Sequence, residues 1–230
     1  VYTLREAHGV TGHIVPWNYP MQIIGRSVGA ALAMGNCCVL KPAEEACLSA
    51  LMFAELARQA GLPSGVLNVV PGLGAQAGAA LAAHDGINHL SFTGSVATGR
   101  LVQAAAAQNV VPVTLELGGK SPQILFEDAD VAAALPFLIN AGIQNAGQTC
   151  SASSRILVQR SLYDTIVEAM AARYQTLVAK PAIEDGDLGP LISQRQKAIV
   201  ENFLSQGHDL TLAATGQISD TAPASGAYVK

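Results

Sequence analysis

The chain has 230 residues, of which 50% are hydrophobic and only 13% are charged. This composition is typical of a globular protein with a buried core, and it excludes a disordered or fibrous chain. Its 13 basic and 17 acidic residues are scattered and give a net charge of −4, so no basic patch is available for nucleic acid. Polar residues and glycines interrupt every apolar stretch before the roughly 20 residues that a membrane helix needs. We therefore expect no nucleic-acid partner and no membrane segment.

The cysteines and the chain start indicate the compartment. The four cysteines, Cys37, Cys38, Cys47 and Cys150, show no pairing framework and no C-x-x-C spacing, as expected in a reducing compartment. We predict a cytoplasmic protein without a metal site. The chain begins at Val1, and its first residues lack the basic stretch and apolar core of a signal peptide. The start is therefore interpreted as a cut into a longer chain.

The first half of the chain alternates between predicted helices and strands. Helical or strand-like apolar spacing defines the elements, and glycine, asparagine and proline residues mark their ends. In chain order the elements are helix 21–33, strand 37–40, helix 49–60, strand 66–70, helix 75–83, strand 87–92, helix 95–107 and strand 113–117. Such alternation predicts a mostly parallel sheet with helices on its faces, which binds ligands at the carboxyl ends of its strands.

The pair Gly118-Gly119 is a candidate domain boundary, because the pattern of elements changes after it. Beyond it the sequence predicts strand 123–126, helices 129–140, 162–177 and 194–206, a loop at 180–190 and a polar, turn-rich tail at 216–226. We therefore predict two domains, 1–118 and 119–230.

Two strand ends carry residues suited to a nucleotide. The turn Gly94-Ser95-Val96-Ala97-Thr98-Gly99 opens a helix, where backbone N–H groups and the positive helix end can face a phosphate. It matches neither G-x-G-x-x-G nor a Walker loop, and an ordinary turn is the alternative. Lys41 and Glu44, at the end of another strand, suit ribose hydroxyls. The alternative for them is a solvated charge pair.

Three further residues are candidates for catalysis. Asn18 lies in a loop fixed by two prolines, where its NH₂ group could face a developing oxyanion, although a structural turn would explain the prolines equally well. Glu116 lies in an apolar strand, where partial burial would suit a general base; a satisfied core glutamate or an outward-facing one is the alternative. Cys150 lies among small polar residues and is the cysteine predicted to be exposed enough to react, whereas most lone cysteines are buried.

Together these motifs resemble those of the aldehyde dehydrogenase superfamily. The resemblance runs from Gly9 to Pro190. The motifs that carry it, in the family's order and spacing, are Pro16-Trp17-Asn18, Lys41-Pro42-Ala43-Glu44, Phe92-Thr93-Gly94-Ser95, Leu115-Glu116-Leu117-Gly118-Gly119-Lys120 and Gly147-Gln148-Thr149-Cys150. The resemblance implies an α/β fold, with part of a parallel-sheet, Rossmann-like NAD(P)-binding domain over 1–118 and part of a catalytic domain over 119–230.

The resemblance also implies a reaction. Cys150 would attack an aldehyde, and Asn18 and the Cys150 backbone N–H would hold the oxyanion of the thiohemiacetal while hydride passes to NAD. Glu116 would then activate water to hydrolyse the thioester. Glu44 favours NAD, and Lys41 could tolerate NADP. The implied cofactor-binding residues are Pro16, Trp17, Lys41, Glu44, Gly94, Ser95, Leu117 and Gly118.

The substrate class is predicted from Arg26, eight residues after Asn18. In the family this position lines the substrate tunnel, and many members that oxidise apolar aldehydes have an aromatic residue there. An arginine implies an aldehyde that carries a carboxylate or another polar group, the alternative being an outward salt bridge. The other predicted pocket residues are Tyr19, Gln22, Gln144, Thr149 and Ser151.

Family chains are longer than this one. They contain a segment that completes the cofactor domain, an oligomerisation strand and a later Glu-x-x-x-Gly-Pro-type motif, and the sequence has none of these. We interpret it as the central fragment of a protein whose full-length form is expected to be a homo-oligomer acting on a small-molecule aldehyde. Two alternatives stay open. One is a CoA-acylating or phosphorylating relative, against which Glu116 argues, and the other is an inactive, truncated dinucleotide-binding remnant.

Overall fold

The computed structural model describes residues 1–230, which form two compact units, Val1–Gly118 and Gly119–Lys230. The predicted α/β fold with a parallel sheet is confirmed. None of the helices has the length and apolar content that a bilayer span requires.

The first unit consists of a five-stranded sheet with helices. Its strands are β1 (Val10–Ile14), β2 (Cys37–Lys41), β3 (Leu67–Val69), β4 (His89–Gly94) and β5 (Val113–Leu117). Its helices are α1 (Pro20–Ile24), α2 (Ala30–Ala33), α3 (Cys47–Gln59), α4 (Ala79–Ala82) and α5 (Val96–Ala107), with π-helical segments Gly25–Gly29 before α2 and Gly74–Gly78 before α4. The elements predicted for this half are present, with their ends shifted by a few residues.

The strand order is β3-β2-β1-β4-β5, and every neighbouring pair is parallel. The chain runs outward from β1 to β3 and then crosses back to place β4 on the other side of β1. Open α/β sheets bind ligands in the crevice that such a reversal leaves at the carboxyl ends of the strands. The topology therefore places the candidate crevice between the ends of β1 and β4.

Strand β1 is missing from the sequence prediction, although it lies at the centre of the sheet. Its Thr11 and His13 are each only 2% exposed, and Thr11 Oγ1 lies 2.9 Å from His13 Nε2. A Cβ on Gly12 would come within 2.7 Å of Leu90 Cδ1. A strand whose buried positions hold a hydrogen-bonded polar pair and a glycine lacks the apolar run that identifies most buried parallel strands.

We expect the buried His13 to make the first unit sensitive to acid. Burial is the main cause that lowers the pKa of His13 from 6.5 to about 4, and the charge of His89 is the smaller cause. Because the unfolded chain binds the proton more readily, the stability linked to neutral His13 is complete above pH 6.5 and is lost as the pH falls towards 4. We expect the free energy of unfolding, measured with urea, to fall by about 3 kcal/mol over this interval.

Two variants test this assignment. In His13→Gln the acid-induced loss between these pH values should shrink, because the buried titrating group is gone. His84→Gln removes a histidine whose side chain is 64% exposed, and it should keep the full loss. An unchanged loss in His13→Gln would show that another group is responsible.

Apolar clusters pack the helices of the first unit against its sheet. One joins Ile14, Leu90 and Phe92 to helices α4 and α5. The other contains Ile24 and Leu40, both fully buried, and packs α1 and α3 against β2 and β3. These clusters hold the strand ends, and with them the candidate site residues, in place.

The second unit contains smaller sheets. Its strands are β6 (Ser121–Leu125), β7 (Ser153–Val158), β8 (Val178–Ala179) and β9 (Gln217–Ile218), and its helices are α6 (Val131–Ile143), α7 (Tyr163–Tyr174) and α8 (Gln194–Ser205). Strands β6 and β7 pair in parallel, as do β8 and β9. The three predicted helices and β6 are present, whereas β7, β8 and β9 were not predicted. Strand β7 begins with two serines and an arginine, which hides its strand pattern.

Candidate active site

Eight predicted cofactor residues lie at the carboxyl edge of the five-stranded sheet. They are Pro16 and Trp17 after β1, Lys41 and Glu44 at and after the end of β2, Gly94 and Ser95 at the end of β4, and Leu117 and Gly118 at the end of β5. Because the strands are parallel, the sheet brings these distant parts of the sequence to one edge. This edge includes the crevice between β1 and β4.

Lys41 and Glu44 form a fixed pair at this edge. The Lys41 Nζ donates to Glu44 Oε2 over 3.2 Å, and Glu44 Oε1 accepts from the Gly74 backbone N–H over 2.6 Å. The Lys41 side chain is only 4% exposed, so the alternative of a solvated pair is wrong for the lysine. Burial acts to raise the pKa of Glu44, but hydrogen bonds from backbone N–H groups and Lys41 outweigh it and lower that pKa. Glu44 is therefore an ionised, immobilised acceptor that fits ribose hydroxyls.

The turn after β4 presents the start of helix α5. The Ser95 side chain caps this helix by accepting from the Thr98 N–H over 3.2 Å. The first N–H groups of the helix have no partner within it, which fits a phosphate group. Gly94 also has a packing role, since a Cβ there would come within 2.6 Å of the Phe92 ring. A Cβ on Gly99 would lie 2.7 Å from Leu117 Cδ2, so this glycine lets the helix pack closely on β5.

Asn18 lies in the bend between β1 and α1 and is partly buried. Pro16 precedes it, and Pro20 is the first residue of α1, so fixed φ angles hold the bend on both sides. Tyr19 packs against the apolar cluster beneath α1, and its buried Oη has no hydrogen-bond partner. Gln22 is exposed on α1. The bend thus carries Asn18 on a rigid support.

Arg26 and Glu116 are brought together in the first unit. Arg26 lies in the π-helical segment before α2, and its Nη1 is 4.0 Å from Glu116 Oε2. Their side chains are 57% and 55% exposed, and both line a cavity of about 680 Å³. The expected partial burial of Glu116 is therefore wrong, because β5 is an edge strand and Glu116 lies on its exposed face. Arg26 does form a salt bridge, and its partner is the predicted base.

Cys150, in the second unit, follows a strained turn. It is exposed, whereas Cys38 is buried and the other two cysteines are partly buried, so its predicted exposure is confirmed. The three consecutive residues Asn145, Ala146 and Gly147 have φ angles of 52°, 54° and 75°. Left-handed backbone costs a non-glycine residue about 1–2 kcal/mol and is concentrated at functional sites.

Hydrogen bonds hold the segment that leads to Cys150. The Gln148 side chain donates to the Asn145 carbonyl over 3.0 Å and accepts from the Ile192 N–H over 3.0 Å. After it, the Ala152 N–H donates to the Thr149 carbonyl over 3.1 Å. The backbone on both sides of the cysteine is therefore anchored.

The other predicted pocket residues of this unit lie near that segment in sequence. Thr149 is partly buried with an unpartnered Oγ1, and Ser151 is exposed. Gln144 lines a cavity of about 680 Å³ together with Phe137 and Asn140, two residues that were not predicted to line a pocket. Their spacing of seven and four residues before Gln144 is a helical repeat along α6, and this spacing is the signal that could have found them.

All 230 residues match the model of the aldehyde dehydrogenase family. The chain belongs to this family. The resemblance drawn from the motifs is thereby confirmed. The chain is also 43% identical to the hydroxyisobutyraldehyde dehydrogenase of Mycolicibacterium austroafricanum, in an alignment that covers 100% of the chain and 46% of that protein.

Solved aldehyde dehydrogenase structures match as well. A crystal structure from Burkholderia cenocepacia, provisionally described as an aldehyde dehydrogenase, is 62% identical with a TM-score of 0.97, covering 98% of this chain and 48% of the other. The NAD⁺ complex of an aldehyde dehydrogenase from Bacillus cereus is 43% identical with a TM-score of 0.88, covering 91% and 43%. The chain thus spans less than half the length of these relatives.

Proposed function

We propose that this chain is the central part of an NAD(P)-dependent enzyme that oxidises an aldehyde to a carboxylic acid through a thioester on Cys150. The family match over all 230 residues carries the proposal, and the exposure of Cys150 on an anchored turn supports it. We assign residues 1–118 to the cofactor-binding domain and 119–230 to the domain that supplies the nucleophile.

In the proposed reaction the Cys150 thiolate bonds to the aldehyde carbon, which leaves an oxyanion on the former carbonyl oxygen. The Asn18 NH₂ group and the Cys150 backbone N–H donate hydrogen bonds to this oxyanion. Loss of hydride from the same carbon gives a thioester. Glu116 then takes a proton from water as that water adds to the thioester carbon, and the acid leaves while the Cys150 thiol is restored.

The sheet edge of the first unit is the proposed cofactor site. NAD⁺, when bound, supplies the acceptor for the hydride. Lys41 and Glu44 would hold the hydroxyls of the adenosine ribose, and the start of α5 at Ser95 would face the pyrophosphate. Pro16, Trp17, Leu117 and Gly118 complete that edge. The ionised Glu44 would repel a ribose phosphate, so we propose NAD as the preferred form over NADP.

The direct test is NADH formation by this chain from NAD⁺ with a panel that includes succinic semialdehyde and propanal. We expect NADH and the corresponding acid. Turnover that requires CoA or phosphate would instead indicate a CoA-acylating or phosphorylating relative. Absence of NADH, together with iodoacetamide labelling of Cys150 that NAD⁺ does not alter, would indicate an inactive remnant.

We further propose that the substrate carries a carboxylate or another polar group that Arg26 contacts. A charge-assisted contact of this kind contributes about 1.5–3 kcal/mol, so Arg26→Ala should lower the preference for succinic semialdehyde over propanal, measured as the ratio of kcat/KM values, about tenfold or more. Arg5 lines the same cavity, so Arg5→Ala is the matched control and should leave the ratio unchanged. An unaltered ratio in Arg26→Ala would rule the idea out.

A further inference from the structure

The contact between Arg26 and Glu116 is too loose to satisfy either group. A guanidinium has five N–H donors, yet this ion pair has an N–O distance of 4.0 Å, which is beyond hydrogen-bond length. More than half of each side chain is exposed, and exposed pairs of this kind exchange partners readily because they contribute little stability. Arg26 can therefore accept another carboxylate.

The surroundings of the pair determine which ligands reach it. Arg26 and Glu116 line one cavity together with Arg5, Glu6, His8 and His89. An anion that enters this cavity meets the unused donors of Arg26 next to the Glu116 carboxylate. Two carboxylates would then compete for one guanidinium. A planar bidentate contact between Arg26 and the carboxylate of the entering anion is stronger than the long contact between Arg26 and Glu116.

We propose that Arg26 is shared between Glu116 and the carboxylate of the substrate, so that a carboxylate-bearing aldehyde draws Arg26 away and frees Glu116 for thioester hydrolysis. This inference rests on the proposed function. Arg26 is then a substrate contact and also a positioning residue for the base. Glu116 Oε2 faces Arg26 in the resting chain, and an aldehyde without a carboxylate leaves that arrangement in place.

The exchange can be observed without turnover. In the chain with ¹³C-labelled glutamate, the Glu116 carboxyl resonance is assigned by its loss in Glu116→Gln, and succinate is titrated as a non-reacting dicarboxylate. Saturating succinate should move this resonance to the position that it has in Arg26→Gln. Arg5→Gln removes a charge from the same cavity and should preserve the movement. The resonance of Glu55, which forms an exposed pair with Arg58, should stay where it is.

A resonance of Glu116 that does not respond to succinate, or that responds equally in Arg26→Gln, would overturn the inference. The rates of thioester hydrolysis for two aldehydes test the inference independently. Thioester hydrolysis should be about three- to fivefold faster for succinic semialdehyde than for butanal, which has the same number of carbons, and the difference should vanish in Arg26→Gln. Equal rates in the unmodified chain would also overturn the inference.

The two proposals fail in different ways. If NADH is formed and the Glu116 resonance ignores succinate, the shared arginine is wrong and the aldehyde oxidation stands. If the resonance moves as expected and no NADH is formed with any aldehyde, the proposed oxidation is wrong for this chain, and the exchange of carboxylates on Arg26 stands.

Discussion

Cys150→Ala is expected to lower NADH formation by about 10³-fold or more. Without the sulfur, no covalent bond to the aldehyde carbon forms, and the tetrahedral species from which hydride leaves is never made. Both the first rapid turnover and the steady state should be lost in a stopped-flow record of NADH absorbance. The change removes only the sulfur atom of the side chain. Because Cys150 is exposed, the fold should be retained.

Cys47→Ala provides the matched control. Cys47 is partly buried at the start of α3, and its replacement removes the same atom from the first unit. We expect full activity from this variant, and iodoacetamide should label Cys150 in it as in the unmodified chain. A rapid NADH phase that survives in Cys150→Ala would mean that another group attacks the aldehyde.

Glu116→Gln is expected to separate the two halves of the reaction. The amide cannot take a proton from water, so thioester hydrolysis should slow by about 10²–10⁴-fold. Hydride transfer precedes that step, so the rapid phase should remain with an amplitude close to one NADH per chain. The measurement is a burst of NADH followed by a steady state that is almost flat.

Glu55→Gln makes the same chemical change in another exposed glutamate that is paired with an arginine, and its kinetics should match those of the unmodified chain. If Glu116→Gln reduces the burst and the steady state to the same extent, Glu116 acts before the thioester forms, and its role as the hydrolytic base is wrong.

Much of the fold follows from local sequence signals. Alternating apolar helices and strands, with glycine and proline at their ends, are enough to place β2, β4, β5 and α5. Parallel strands bring their carboxyl ends to one edge, so the motifs at Lys41 and Gly94 are predicted to lie at the same edge of the sheet without any knowledge of the strand order.

The features that were missed depend on tertiary contacts. Strand β1 cannot be recognised from the sequence because its buried residues Thr11 and His13 are polar and form a hydrogen bond with each other in the core. A polar pair of this kind is not visible in a hydrophobicity pattern. The left-handed backbone at Asn145 and Ala146 violates local preference and persists because surrounding bonds hold it. The contact between Arg26 and Glu116 joins the π segment to an edge strand, and no sequence spacing encodes it.

The position of β1 in the sheet has a consequence for synthesis on the ribosome. The segment that will cover the second edge of this strand lies far downstream of it, since Val10 bonds to Asn88, 78 residues later. At roughly 5–20 residues per second, that edge stays open for about 4–16 s. Open strand edges are templates for aggregation, most of all when they are apolar. The threonine and histidine of β1 therefore make the nascent chain a poorer template during this interval.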